Sequence, residues 1–407
     1  MSKYPGKVRF FVVGLALALL AVGAAITIVL GPPRLGWTAR SNVVTSSPEL
    51  EVTHTGTLEG ADITGITKDL LYAAQGRNLY AASHDASELV PVGAYSGSSL
   101  VAKTKRLVTS SRLLAPVLQR EGADGLNRLK SGTILVMYFD GIYRSTDGGA
   151  SFELVQALSL DSPGPYSHAA AVADDDKVYY GEFIFETPPR RWRIWRGTDD
   201  GRKWDVAYTY PPGVSLHVHA VTFDRYRNRL WVTTGCDAKV SQISYTDDDF
   251  KTLQLLGGGD YTWRTMDVLP TKDALYWGTW DNVEPSHIYR YDFQRSTREA
   301  VFETENPIWY TASLADGTIT MATAYEPKTT FTKKYSPPKR MSVLASRDGR
   351  HWVRALSIDY EADPSGEPFT GTLTLDRANE DASSLYLMPR QRLRKNLQIE
   401  RYRFDWR

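Results

Sequence analysis

From about residue 50 onward, short runs of β-branched and aromatic residues alternate with polar turn residues, a pattern that predicts strands along the whole body of the chain. The clearest stretch, residues 167–210, reads as HAAAVA, VYYGEFIF, RWRIWRG and DVAYTY. Its neighbour repeats the order with HVHAVTF, RLWVTT, VSQISY and LQLL, and further groups occupy 262–303 and 307–358. Near the C-terminus there are three strand runs, FTGTLTLD, SSLYLMP and LQIERYRF, and the segment LEVTHTGTL near residue 50 can supply the fourth. Such a pairing closes a ring and removes the open sheet edges that invite aggregation. The expected fold is therefore all-β, a β-propeller of four-stranded blades. Seven blades result if residues 60–95 form a complete one, six if they do not. Residues 96–128 carry no clear pattern, and RLLAPVLQREGA within them suits a short helix.

Ahead of this body, Phe10 to Leu30 is apolar and uncharged, and a bilayer-crossing helix needs roughly 20 such residues. Residues 10–30 are expected to be a transmembrane signal anchor. Lys3, Lys7 and Arg9 precede it, which puts residues 1–9 in the cytoplasm and the propeller in the periplasm or cell exterior. The small residues Gly23, Ala24 and Ala25 suit a cleaved signal peptide instead, but the apolar run continues past them. Residues 31–49, rich in Pro, Ser and Gly, are expected to be a linker to a propeller domain at 50–407. The net charge of +1 excludes the basic footprint of a nucleic-acid partner. Cys236 is the only cysteine, so no intramolecular disulfide can form.

A polar signature recurs between strand runs at roughly 50 residues, the length of one blade. Its copies are Ser145-Thr146-Asp147-Gly148-Gly149-Ala150-Ser151-Phe152, Gly197-Thr198-Asp199-Asp200-Gly201-Arg202-Lys203-Trp204, a worn Tyr245-Thr246-Asp247-Asp248-Asp249, and Ser346-Arg347-Asp348-Gly349-Arg350-His351-Trp352. Such residues make a tight turn between a blade's third and fourth strands, with the aromatic plugged between sheets. Asp147, Asp199, Asp247 and Asp348 are on this basis folding residues. The copies resemble the BNR/Asp-box repeats of the sialidase-like propeller superfamily, from about residue 50 to the end. That resemblance implies the fold, while the activity stays open, because the motif occurs in glycosidases, sorting receptors and assembly factors. Sialidases of the superfamily also carry an Arg-Ile-Pro segment in the first blade. None exists here, so sialidase activity is not expected. HVHAVTFDRYRNRLWVTTG and DALYWGTWDN are similar to envelope-associated bacterial BNR-like proteins of exopolysaccharide and capsule systems.

Strand alternation adds an orientation. With the third-to-fourth turns on one face, first strands start and second strands end on the other. On that opposite rim the register predicts His168, the pair His217 and His219, Trp263 with Arg264, and Trp309 with Tyr310 from first strands. Second strands deliver Glu182, Asp237, Asp281 and Glu326. His217 and His219 stand two apart and share a strand face. Paired imidazoles can transfer protons or hold a metal, and they can equally serve as hydrogen-bonding links between blades.

The catalytic candidates are His217, His219, Glu182 and Tyr310. A lyase would use a histidine with Tyr310 as base and acid, and a glycoside hydrolase would use Glu182 with a second carboxylate. The substrate-binding candidates are His168, Asp237, Trp263, Arg264, Asp281, Trp309 and Glu326. In that role Arg264 clamps an anionic sugar group while the tryptophans stack on sugar rings. Lys333, Lys334, Lys339, Arg340, Arg190, Arg191 and Arg193 lie in connections that can border the same mouth. No Gly-rich phosphate loop, Cys/His zinc pattern or GxSxG elbow is present, and no cofactor or metal is assigned. Two functions remain. One is a membrane-anchored propeller that binds, with or without cleavage, a cell-surface polysaccharide or exopolysaccharide at the mouth opposite the Asp boxes. The other is a non-catalytic scaffold that docks a protein partner of an envelope assembly or secretion complex.

Overall fold

The computed structural model describes residues 34–95, 125–167, 169–184, 191–211, 217–280, 285–326, 337–361, 371–375, 382–390 and 397–407. These residues form seven antiparallel sheets arranged as a seven-bladed propeller, and helical structure is limited to the 3-10 turns Ala238–Val240 and Tyr261–Trp263. Blade 1 holds Asp62–Ile66, Leu70–Gln75, Asn78–Ser83 and Glu88–Ala94, so residues 60–95 do form a complete blade. Blades 2 to 6 begin with Gly125–Arg128, Ala171–Val172, Val218–Asp224, Leu269–Pro270 and Ile308–Ser313.

Blade 7 closes the ring. Thr372–Leu375, Ser384–Arg390 and Gln398–Trp406 come from the C-terminal end, and Leu50–Glu59 pairs with Gln398–Trp406 in register from Leu50 opposite Trp406 to Glu59 opposite Gln398. Leu50, Val52 and Leu58 are fully buried along that seam. At about 1.5–3 kcal/mol for each large apolar side chain removed from water, the closing strand contributes substantially to stability.

The stretch expected as a linker requires correction. Leu35–Gly36 adds to blade 1 outside Glu88–Ala94, and Thr38–Ser46 adds to blade 7 outside Leu50–Glu59. The Thr-Val-Val content of TARSNVVTS suits a strand, and an open blade edge supplies the hydrogen-bond partners it needs. The expected anchor, residues 10–30, lies outside the described residues, as do the short helix expected in RLLAPVLQREGA and residues Lys333, Lys334 and Arg190. Among the described residues no helix is long and apolar enough to cross a membrane.

Three of the polar turns share one hydrogen-bond pattern. Ser145 Oγ donates to Asp147, whose carboxylate accepts the Ser151 amide at 2.9 Å, while the Gly149 amide donates to Ser145 Oγ at 2.8 Å. Thr246 and Asp248 repeat this with the amides of Phe250 and Thr252, and Ser346 and Asp348 do so with Gly349 and His351. In the worn copy the acting carboxylate is thus Asp248, whereas Asp247 pairs with Arg229. Gly148 and Gly149 take positive φ in the first turn, and Asp249 and Phe250 must do the same at 61° and 63° without glycine's freedom. The turn at Gly197 lacks the opening hydroxyl. Its Asp200 reaches back instead to Ser131, Thr133 and Arg144 of blade 2.

Blades interlock through a glycine at the end of a second strand. A Cβ on Gly181 would sit 2.1 Å from Val218, and one on Gly278 would sit 2.2 Å from Ile308. The following carbonyl then accepts the next blade's first amide, Glu182 from Val218 at 3.1 Å and Thr279 from Ile308 at 3.0 Å. Only glycine permits so close an approach.

Candidate functional site

Antiparallel order puts the first-to-second and third-to-fourth turns of every blade on one face, here called the turn face, and the remaining connections on the opposite face. The central channel differs at its two mouths. On the turn face it opens into a cavity of about 720 Å³ lined from six blades. Lys68, Arg128, Lys130 and Arg225 stand exposed in its lining against the single acidic residue Asp69, and Tyr226 adds an exposed ring. Toward the opposite face the channel narrows to a space of about 10 Å³ between Tyr166, His219, Asp267, Trp309 and Tyr310. The expected opening away from the turns is closed among the described residues.

Tyr166 closes it. The chain after blade 2 folds inward, and the Tyr166 ring stacks on Tyr310 of blade 6 at 6.2 Å and packs on Phe183 at 4.6 Å. The Tyr310 hydroxyl donates to that of Tyr166 at 3.1 Å. Burial pushes the Tyr310 phenol upward from its ordinary value, which keeps it protonated, and its proton is already donated to Tyr166.

Of the four carboxylates expected to share a rim, the three among the described residues do not converge. Glu182 is fully buried inside blade 3, where it accepts from the Arg193 backbone amide, Arg193 Nε at 2.8 Å and Trp195 Nε1 at 3.0 Å. A buried carboxylate is costly unless paired, and strand alternation brings Arg193 and Trp195 to the same face of the neighbouring strand. Asp237 is exposed and caps the turn Ala238–Val240 by accepting the Lys239 amide. Glu326 is buried and accepts from Trp280 Nε1 and from Trp309 Nε1, the latter at 3.2 Å. Asp281 and His168 lie outside the described residues. Arg340 pairs with Glu305.

Trp263 also stands elsewhere. It ends the 3-10 turn Tyr261–Trp263 and stacks on Trp277 at 5.3 Å under the Arg298 guanidinium, away from the channel. Blade 5 begins its first strand only at Leu269. The aromatic run at 261–263 looked like a strand start, but Asp260 accepts the Thr262 amide and turns the chain. Arg264 does reach the closed mouth, buried with its guanidinium 3.9 Å from the Trp280 ring.

What the fold brings together is His217, His219 and Cys236. Both imidazoles come from the start of blade 4's first strand, where a bulge interrupts the register between Val218 and Ala220. His217 Nδ1 lies 2.9 Å from the Ile184 carbonyl and His219 Nδ1 lies 2.8 Å from that of Thr265. A carbonyl only accepts, so each Nδ1 carries the proton and each Nε2 presents a lone pair. Those Nε2 atoms face Cys236 Sγ at 2.6 Å and 3.4 Å. Burial lowers the His217 pKa and takes that of His219 down to about 3, so both rings are neutral near pH 7. Burial raises the Cys236 thiol to about 11. Buried imidazoles with lowered pKa and no carboxylate partner are poor general bases, and no hydrogen bond joins them to Glu182. From sequence, Cys236 enters only as a residue without a disulfide partner. Its signal was available in the hairpin count, since Gly235 donates back to the His217 carbonyl and so sets the next residue beside the imidazoles.

A seven-bladed all-β propeller whose described residues leave one basic mouth open and narrow the other is the class that fold and site define. No protein-family model matches the chain, and no curated protein sequence does. Solved structures share the fold. An oligogalacturonate lyase in complex with manganese aligns over 91% of this chain and 97% of its own, with a TM-score of 0.57 at 8% identity. YCF48 bound to a D1 peptide aligns over 90% of this chain and 98% of its own, with a TM-score of 0.50 at 11% identity. A prolyl endopeptidase aligns over 86% of this chain and half of its own, with a TM-score of 0.50 at 12% identity. At such identities the likeness is one of fold.

Proposed function

We propose that this chain is a membrane-tethered, extracytoplasmic binding propeller that holds an acidic polysaccharide at its turn-face mouth, without cleaving it. The observation that carries the proposal is the roughly 720 Å³ cavity whose lining has four exposed cations, Lys68, Arg128, Lys130 and Arg225, against Asp69 alone. Clustered cations around a concave mouth attract a polyanion, and forked guanidinium donors match a carboxylate. Tyr226 supplies an amphipathic platform for a sugar ring. The uncharged run Phe10 to Leu30 supports the tether, and the Lys3, Lys7 and Arg9 cluster ahead of it supports a propeller outside the cytoplasm.

A second reading, docking of an envelope protein, is favoured by the outer strand Thr38–Ser46, which exposes Val43 and Val44 along an outer blade edge. The test is binding of the full chain in detergent to a polyuronate and to a neutral glucan of equal length. Preferential polyuronate binding that weakens with salt, and weakens about tenfold or about 1.4 kcal/mol in Arg128→Glu with Arg225→Glu, is the expected result. Equal affinity for both glycans, or no effect of the charge reversals, would sink the proposal and leave the docking strand as the working surface.

A further inference from the structure

We infer that the sealed mouth holds a second, separate site: His217 Nε2, His219 Nε2 and Cys236 Sγ form a three-ligand centre for a thiophilic divalent cation of the zinc type, with its fourth position open. The donor atoms come from one blade and all lie within 4.8 Å of one another. Two imidazoles with one sulfur select zinc-like ions over magnesium or calcium, which prefer oxygen ligands. Around a tetrahedral zinc ion, with Zn–N of about 2.0 Å and Zn–S of about 2.3 Å, nitrogen and sulfur stand about 3.5 Å apart. The His219–Cys236 separation of 3.4 Å already has that value. The His217–Cys236 separation of 2.6 Å needs to open by about 1 Å, a movement within reach of the Cys236 side chain, which is only partly buried.

The surroundings are those of a prepared centre. Each imidazole is locked from behind by a backbone carbonyl on its Nδ1, the arrangement that orients a ligating histidine and raises its basicity. Cys236 sits on a clamped loop. Gly235 adopts φ of 89° where a Cβ would lie 2.3 Å from the Val240 carbonyl, and Ser241 Oγ donates to the carbonyls of Gly235 and Asp237. The rings of Phe183, Trp192 and Trp280 pack on the histidines at 4.6 to 6.0 Å and give the site dry walls. On binding, Cys236 releases its thiol proton, while the imidazoles bind through the Nε2 lone pairs that their Nδ1–carbonyl bonds leave open. Partial exposure of Cys236 alone among the three ligands leaves the fourth position on the solvent side, for water or an exchangeable ligand.

The test uses the untagged full chain in detergent, stripped with a chelator and titrated with zinc or cobalt ions alone. One equivalent of zinc should survive desalting, and cobalt should give a thiolate-to-metal charge-transfer band. That band is diagnostic because Cys236 is the only cysteine in the chain. Cys236→Ala should abolish the band and weaken zinc binding at least tenfold, and so should His217→Gln. If His217→Gln fails to fold, Cys236→Ala with its circular dichroism and melting curve decides alone, because that residue is small and partly exposed. Zinc should raise the melting temperature of the wild type and leave that of Cys236→Ala unchanged. Substoichiometric zinc after desalting, a cobalt spectrum without the thiolate band, or equal affinity in Cys236→Ala would each overturn the inference. The sulfur and imidazoles would then form only a hydrogen-bonded link within the blade. Polyuronate binding at the other mouth is measured separately, so either proposal can fail without the other.

Discussion

The two mouths of one channel are made from the same repeating blade, yet one is wet and charged while the other is dry and crowded. At the turn face the short first-to-second turns put Lys68, Arg128, Lys130 and Arg225 into water around a space of about 720 Å³. At the opposite face Tyr166 folds across the channel onto Tyr310, and His219, Arg264 and Glu326 are buried among Trp280 and Trp309. The difference teaches that polar residues near a propeller axis have different meanings by location. Exposed charges can meet a ligand from solvent, whereas buried ones are enclosed by the fold.

Substitutions can break that comparison. The largest effect is expected for Glu182→Ala, which strands Arg193 and Trp195 and should cost about 2–3 kcal/mol of folding stability, read from the urea midpoint. A stable Glu182→Ala protein would mean that the carboxylate is held for something other than packing.

Next comes a pH dependence specific to the closed mouth. Burial lowers the pKa of both histidines, so below about pH 6.5 the unfolded chain takes up protons that the folded chain refuses, down to about 3 for His219. Stability contributed by His219 is therefore complete above that range and falls as pH drops through it, by about 1.4 kcal/mol per pH unit, and His217 adds a loss of the same sign. His219→Asn should flatten the wild-type slope between pH 7 and about pH 5 by one such increment, with other titrating groups common to both proteins. Parallel slopes would show that His219 is protonated in the fold.

At the open mouth Tyr226→Ala should leave stability unchanged, because the ring is largely exposed, while weakening polyuronate binding by about 1 kcal/mol in titration calorimetry. The smallest effect belongs to Asp237→Ala. Loss of its cap on Ala238–Val240 should lower stability by about 0.5 kcal/mol, with no change in polyuronate affinity. An affinity change there would link the two mouths.

Much of the architecture was legible because blade strands have a local signature. Alternating runs predicted the sheets, and LEVTHTGTL was correctly placed as the strand that closes blade 7. The site was legible only in fragments. His217 and His219 were drawn from strand register, and their shared face follows from spacing alone. Register places Glu182 and Glu326 at second-strand ends, but it cannot say toward which neighbour a carboxylate turns. That was decided by Arg193 and Trp195 in one case and by Trp280 and Trp309 in the other. Trp263 misled because an aromatic cluster marks a strand edge and a capped turn equally well.

By itself the amino-acid order determined the repeat, its strands, its turns and the face on which each turn lies, since these depend on side-chain periodicity and on φ preferences within a few residues. Tertiary structure decided which mouth stays open, which carboxylates are engaged, and that Cys236 meets two imidazoles. Those outcomes depend on contacts between blades and across the channel. Tyr166 and Tyr310 stand 144 positions apart along the chain, and no local pattern encodes their meeting.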